Sequence, residues 1–361
     1  MDNKSERGSG STGPSESDRD AGPRSEPERR ADGRGTTKTN VQAVHDTLLE
    51  EFRRDERLIL LGEDVGVRGG VFRVSDGFIE EFGADRIIDT PVAESSIVGV
   101  AIGAAIGGLR PIAEMQFADF HAPAFEQIVD EAARMRYRSN GAFGVPMVIR
   151  MPWGGAIRGA LYHSQSVEAF YAHVPGLKVV VPSTPYDITG MLRSAIRDPD
   201  PVIFLEHKAT YRAVKGEVPD GDYAVPLGPA DVKREGTDIS VFAYGLMLHH
   251  SLAAAETLAG EGISVDVVDV RSLRPLDGET ILREARKTGK CLIVYEDNRL
   301  FGAGAEIAAL IAEEAFSDLD APVMRLGGPE VPAMPYNKPQ EDWFMPDPAK
   351  IAAKMRELAA Y

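Results

Sequence analysis

Two successive α/β units, each a parallel sheet covered by helices, are the fold class the sequence predicts. Three observations predict it. Short apolar runs alternate with amphipathic helical stretches, and that alternation is the pattern of strand–helix–strand units around a parallel sheet. The alternation stops at a Gly- and Pro-rich break and then restarts. The chain has 361 residues, about two domains on a prior of ~150 residues each.

Residues 1–37 are dominated by Ser, Gly, Pro, Asp, Glu and Arg. So few apolar side chains cannot offset the entropy of ordering, which predicts a disordered tail. There is no apolar core of a secretory signal. Asp2, Glu6, Glu16, Asp18 and Asp20 argue against an acid-poor transit peptide.

The first unit, residues 38–225, carries predicted strands at 58–62, 111–117, 145–151, 177–181 and 201–206. Predicted helices lie between them at 94–107, 124–138, 166–172 and 186–197. Residues 97–109 are apolar but too short to span a bilayer. Gly99, Gly103, Gly107 and Gly108 suit close packing inside protein. Residues 215–229, with Gly216, Pro219, Gly221, Pro226, Gly228 and Pro229, read as a linker. The second unit, residues 226–361, has strands at 239–244, 263–270, 291–296 and 323–326 and helices at 246–258, 278–288 and 303–316.

Composition excludes some function classes. Hydrophobic residues are 43% and charged residues 27%, a globular balance. A net charge of −16 repels polyphosphate, so nucleic acid and anionic membrane are poor partners. The single Cys291 lies in an apolar strand pattern and reads as a buried thiol. It excludes an intrachain disulfide and fits a reducing, cytoplasmic compartment.

Ligands of open α/β sheets sit beyond the carboxyl ends of the strands, so polar residues just after strands are the candidates. In Asp89-Thr90-Pro91-Val92-Ala93-Glu94, Thr90 reads as an N-cap and Pro91 as the first helical residue. Glu94 then enters an apolar helix as either a functional acid or a dipole-stabilised, partly solvated one. His163, in Leu161-Tyr162-His163-Ser164-Gln165-Ser166, reads as a proton donor, a metal ligand, a triad base or a satisfied loop histidine. No Gly-x-Ser-x-Gly elbow supports a serine hydrolase, and the adjacent His249 and His250 would point apart. Gly66 through Gly70 and Phe301 through Glu306 read mainly as tight turns. The helix ending at Ser194 through Pro201, with Asp198 and Asp200, is either a hard-cation site or a turn with solvated acids.

An ordered set of segments then carries a resemblance. Gly62-Glu63-Asp64-Val65-Gly66, Asp89 through Glu94, Gln116-Phe117-Ala118-Asp119-Phe120 and His163-Ser164-Gln165-Ser166 belong to it. So do Pro175-Gly176-Leu177-Lys178-Val179-Val180, Pro182-Ser183-Thr184-Pro185 and Asp269-Val270-Arg271-Ser272-Leu273. The sequence resembles, from about Leu60 to its end, the β subunits of the decarboxylating component of 2-oxo acid dehydrogenase complexes.

The resemblance implies a transketolase-like fold, a pyrimidine-binding domain followed by a C-terminal domain. It implies that Glu94 contacts the aminopyrimidine of thiamine diphosphate, with Gln116 and Phe120 near that ring and His163 facing the reacting centre. A buried Glu94 of raised pKa would suit cofactor activation, and His163 would suit protonation of a lipoyl sulfur. The resemblance also implies structural potassium, held mostly by backbone oxygens around Met147, Ala195 and Ile196 with Asp198 and Asp200. The Gly-Asp-Gly motif that anchors diphosphate through Mg²⁺ is absent, and Asp220-Gly221-Asp222 falls in the linker. An α subunit holding Mg²⁺ in an α₂β₂ assembly is therefore implied, together with a lipoyl acyltransferase partner.

Trp153-Gly154, Gly159-Ala160-Leu161-Tyr162-His163, Glu206-His207-Lys208, Tyr211-Arg212 and Pro332 through Tyr336 resemble the branched-chain type most, with pyruvate or acetoin as alternative substrates. A non-catalytic structural subunit and a self-sufficient transketolase-type enzyme are the rival classes.

Overall fold

The computed structural model describes residues 35–361. The segment read as a tail lies outside them except for Gly35, Thr36 and Thr37, which open the first strand. Among the described residues the strands are β1 Gly35–Thr39, β2 Leu58–Gly62, β3 Ile87–Asp89, β4 Arg110–Glu114, β5 Val148–Trp153, β6 Lys178–Val180 and β7 Val202–His207. They continue with β8 Lys215–Pro219, β9 Asp231–Arg234, β10 Ile239–Ala243, β11 Val265–Asp269, β12 Ser272–Arg274, β13 Cys291–Asn298 and β14 Met324–Gly328. A seven-stranded sheet has the order β12-β6-β7-β5-β4-β2-β3 and a five-stranded sheet the order β14-β13-β10-β11-β9. Both are parallel except at one edge, where β12 and β9 run antiparallel to their neighbours. The strands expected from apolar runs are present, shifted by a few residues at their ends.

The strand β2 shows why these runs form buried strands. All five of its residues are buried, and alternate side chains leave on opposite faces. Leu58 and Leu60 meet Leu48 and Phe52 of the helix Asn40–Arg54 and Met191 of the helix Pro185–Arg197. Ile59 and Leu61 join Ile97, Val98 and Ala101 of the helix Glu94–Ile106. Full burial of each such side chain is worth about 1.5–3 kcal/mol.

The core on the Ile59 face continues without a break to Phe242 of β10 and Ile293 of β13, so both sheets share it. The opposite face of the second sheet, with Val241, Leu292 and Val294, packs against Leu248 and Met355 of the helices Leu246–Ala259 and Pro348–Ala359. No helix among the described residues is long and apolar enough to cross a membrane.

Several expectations change. The helix Asn40–Arg54 was not expected, although Thr39 and Gln42 form a capping box that marks its start. The helices Lys338–Phe344 and Pro348–Ala359 were also missed; each begins with a side-chain cap, Asn337 or Asp347, followed by proline at the first turn. Thr90 is not a helix cap. Its amide donates to Gly62 O at 2.9 Å, which prolongs the β2–β3 pairing, and the helix begins at Glu94 with Ala93 as N-cap.

The helix expected over 124–138 is broken into a 3₁₀ turn Ala118–Ala124, a π turn Gln127–Ala132 and a short α turn Met135–Arg138. The segment read as a linker contains β8, paired with β1. It continues to Val225, which is buried against Gly190 with its amide on Gly190 O at 3.0 Å. The strand β12, from the C-terminal half, completes the edge of the first sheet.

Gly176 seats the broken helix against β6. Its φ is +97°, and a Cβ there would lie 2.0 Å from Ala133 O. Gly176→Ala is expected to cost at least about 2 kcal/mol from left-handed strain and overpacking. Denaturant unfolding of the purified chain checks this, and an unchanged midpoint would refute it.

Candidate active site

The carboxyl ends of β7, β5, β4, β2 and β3 lie side by side, and the residues that follow each strand gather along that edge. Glu94 opens its helix, where a carboxylate is favoured by the helix dipole. It is half-buried rather than enclosed in this chain. Glu63, just after β2, is buried; burial pushes its carboxyl above the usual range and the charge of Glu94 adds to the rise.

The helix Glu94–Ile106 packs against the turn Ala118–Ala124 that carries Phe120. The Phe120 ring is 5.6 Å from His163 and 5.7 Å from Phe117, whose own ring meets His163 edge-on at 4.4 Å. Phe72 stands behind Phe117 at 5.6 Å. His163 is therefore set against two phenylalanines, an apolar setting for an imidazole. Gln116 turns its amide onto Asp64 Oδ2 at 3.3 Å, tying the loops after β4 and β2 together.

His163 sits in a loop, 154–165, that the backbone alone would not hold. Gly154, Ala156, Arg158 and Ala160 are all left-handed, three of them without the freedom of glycine. At Gly154 a Cβ would lie 2.3 Å from His207 Nε2. Distant carboxylates hold the loop by accepting its amides. Glu296 of β13 accepts from Gly155 N and Glu341 Oε1 accepts from Arg158 N at 2.9 Å. Asp119 Oδ1 accepts from Ser164 N at 3.1 Å and Gln165 N at 3.0 Å.

The other oxygen of Glu296 lies 2.7 Å from His207 Nε2. Ala209 N donates to His207 Nδ1, so the proton of the imidazole sits on Nε2 and points at Glu296. Asp119, Glu296 and Glu341 were not singled out from the sequence. Asp119 lies inside the Gln116-Phe117-Ala118-Asp119-Phe120 segment, whereas Glu341 sits in a helix that was not expected.

A buried ion network underlies this edge. Arg150 of β5 is fully buried and donates to Glu114 of β4 and twice to Glu206 of β7, at 2.6 and 2.7 Å. The hydroxyl of Tyr211 donates to Glu206 at 2.6 Å. Burial works against the charge on Arg150, and Glu206 and Glu114 more than reverse that effect. Burial pushes Glu114 up in spite of Arg150. Lys208, also buried, is pushed down to about 8 by desolvation, and its ammonium lies over the Phe117 ring at 5.7 Å.

The residues expected around potassium share one end of the first sheet. Ile196 O and Asp198 O converge on a single donor, Arg110 Nη1, at 2.7 and 3.2 Å. Ala195 O accepts from Asp198 N at 3.3 Å, and Met147 O accepts from Val202 N at 3.0 Å. Lys178 holds the carboxylate of Asp198 at 2.6 Å and Arg136 holds that of Asp200.

The remaining sequence candidates serve structure. His249 and His250 diverge to Ser183 O and Pro346 O. Asp222 pairs with Arg197 and Arg54. Among the described residues, Glu235, Asp266 and Glu284 have metal-ligand spacing, but the Lys287 ammonium already lies 2.5, 2.7 and 2.9 Å from them. A cleft of about 1440 Å³ adjoins the His163 loop, lined in part by Asp119, His121, Leu161, Gln165 and Phe170.

Comparison with known proteins agrees with this architecture. Residues 37–214 match the transketolase pyrimidine-binding domain and residues 228–351 the transketolase C-terminal domain. The chain is 56% identical over 321 residues, 89% of its length and 98% of the relative's, to the 2-oxoisovalerate dehydrogenase subunit beta of Bacillus subtilis. It is 46% identical over 306 residues, 85% and 94% of the two lengths, to the pyruvate dehydrogenase E1 component subunit beta of the same organism. A solved split-gene transketolase, an inactive beta4 tetramer, superimposes with a TM-score of 0.72 at 24% identity, covering 89% of this chain and 98% of that one; the likeness is one of fold.

Removing one member of a buried ion network leaves its partners as uncompensated charges. Arg150→Met is expected to destabilise the chain by about 3–5 kcal/mol. Chemical denaturation reads the loss, and an unchanged unfolding free energy would contradict it.

Proposed function

We infer the reaction from one premise: the chain belongs to the family of β subunits of the thiamine-diphosphate-dependent 2-oxo acid dehydrogenases. We propose that it acts in the oxidative decarboxylation of branched-chain 2-oxo acids and in acyl transfer to a lipoyl group. The supporting observation is that Phe120 and His163 lie 5.6 Å apart beyond the strand ends, and that the helix opened by Glu94 packs against the turn carrying Phe120. The higher identity to the 2-oxoisovalerate relative favours the branched-chain substrate over pyruvate.

The residues present fit the ring half of the cofactor: an acid opens a helix that packs against the turn carrying an aromatic wall, and an imidazole faces that wall. They do not fit its diphosphate and Mg²⁺. Asp222 is engaged by arginines and the carboxylate cluster is closed by Lys287. That half of the site is assigned to an α subunit, in an α₂β₂ assembly that works with a lipoyl acyltransferase in the cytoplasm. The exposed apolar residues Val92, Val100 and Leu109, on and beside the Glu94 helix, suit burial against such a partner.

Thiamine diphosphate, when bound, supplies the nucleophilic carbon and accepts the electron pair released with CO₂. Glu94 would hold the far nitrogen of the aminopyrimidine by a hydrogen bond. Gln116 and Phe120 bound the ring's site. His163 gives a proton to the lipoyl sulfur that leaves as the S–S bond breaks and the acyl carbon–sulfur bond forms; that sulfur keeps the electron pair of the broken bond. Glu94→Gln, assembled with its α subunit, is expected to lose about 10²–10⁴-fold in decarboxylation while still forming the complex. Near-normal turnover would return the chain to a structural role. A higher kcat/KM for pyruvate than for 2-oxoisovalerate would overturn the substrate assignment.

Ile196 O and Asp198 O both accept from Arg110 Nη1, so a potassium ion held by these carbonyls would have to take the place of that guanidinium nitrogen. The carboxylates of Asp198 and Asp200 face Lys178 and Arg136, so these residues would contribute main-chain oxygens. At a hundredfold excess over Kd, a native-state ion stabilises by about 2.7 kcal/mol. Replacing potassium by choline at constant ionic strength is therefore expected to lower the melting temperature of the assembled enzyme, and no shift would argue against the site.

A further inference from the structure

We propose that Asp119 is a positioning residue for His163, acting together with Lys208; this deepens the reading of His163 as the proton donor in acyl transfer. Asp119 Oδ1 takes the two amides that immediately follow His163, Ser164 N at 3.1 Å and Gln165 N at 3.0 Å. Asp119 also directly precedes Phe120, whose ring is 5.6 Å from the imidazole. One turn thus supplies both the aromatic wall and the anchor of the loop it faces.

The second carboxylate oxygen, Oδ2, is buried and has no hydrogen-bond partner among the described residues. Its counter-charge is the buried ammonium of Lys208, which among the described residues donates only to Pro152 O at 3.3 Å. That ammonium rests over Phe117, the ring whose edge meets His163 at 4.4 Å. Asp119 therefore holds the backbone behind the imidazole, and Lys208 holds both Asp119 and the ring in front of it.

The loop needs such an anchor. Ala156, Arg158 and Ala160 are in left-handed conformations that relax once the holding bonds are lost. Glu296 and Glu341 pin Gly155 and Arg158, at the other end of the loop. Loss of Asp119 should release the His163 end while the rest stays in place.

The test uses the assembled α and β subunits and two readouts: acyl transfer to a lipoylated domain, and decarboxylation with an artificial electron acceptor. Asp119→Ala is expected to lower kcat for acyl transfer about 10²-fold, the cost of a small misplacement of a catalytic group. KM for the lipoylated domain should change little, and decarboxylation should fall far less than acyl transfer. Asp119→Asn, whose amide oxygen can accept both backbone bonds but whose neutral side chain loses the charge facing Lys208, should recover part of the loss. Equal loss of both reactions in Asp119→Ala, without recovery in Asp119→Asn, would overturn the proposal in favour of a purely structural role. A wild-type transfer rate in Asp119→Ala would overturn it directly if His163→Ala is slow. A wild-type rate in His163→Ala would instead remove the reading of His163 on which the proposal rests.

Discussion

The buried guanidinium of Arg150 is the interaction on which the active edge depends. It joins Glu114 and Glu206 across three adjacent parallel strands. Charges withdrawn from water need both partners and hydrogen bonds, so this network admits few alternative arrangements of the strand ends. Its influence extends outward by packing. Glu206 orients Tyr211, whose ring lies 5.0 Å from Phe72; Phe72 supports Phe117, and Phe117 faces His163. An electrostatic arrangement inside the sheet thus sets the aromatic wall at its rim.

The same rim is tied to the second sheet. Glu296, near the end of β13, accepts hydrogen bonds from both His207 Nε2 and the Gly155 amide, and Glu341 reaches the loop from a C-terminal helix. Together with the apolar core that both sheets share, these bonds make the C-terminal half part of the site's scaffold. A loop with several left-handed non-glycine residues persists because side chains remote in sequence satisfy its amides.

Half of the fold was legible because burial writes itself into local pattern. A parallel strand buried on both faces must be a run of apolar residues, as at Leu58–Gly62 and Cys291–Asn298, and Cys291 itself is buried in its strand. Boundaries were less legible where tertiary pairing competes with local preference. Thr90 has the chemistry of a helix cap, yet the neighbouring strand claims its amide. Residues 124–138 have helical periodicity, yet packing against the Glu94 helix and Gly176 breaks them into turns. The capping box at Thr39 and the caps at Asn337 and Asp347 were present as signals and would have found the missed helices.

The sequence by itself determined the fold class, the two-unit organisation and the identities of Glu94, Phe120 and His163 as candidates, since each rests on local periodicity or on an ordered set of motifs. Only the tertiary structure decided what holds them. Asp119, Glu296 and Glu341 act by accepting backbone amides from segments 45 to 183 residues away. An amide carries no side-chain identity, so nothing in the sequence of the loop records which carboxylate will receive it.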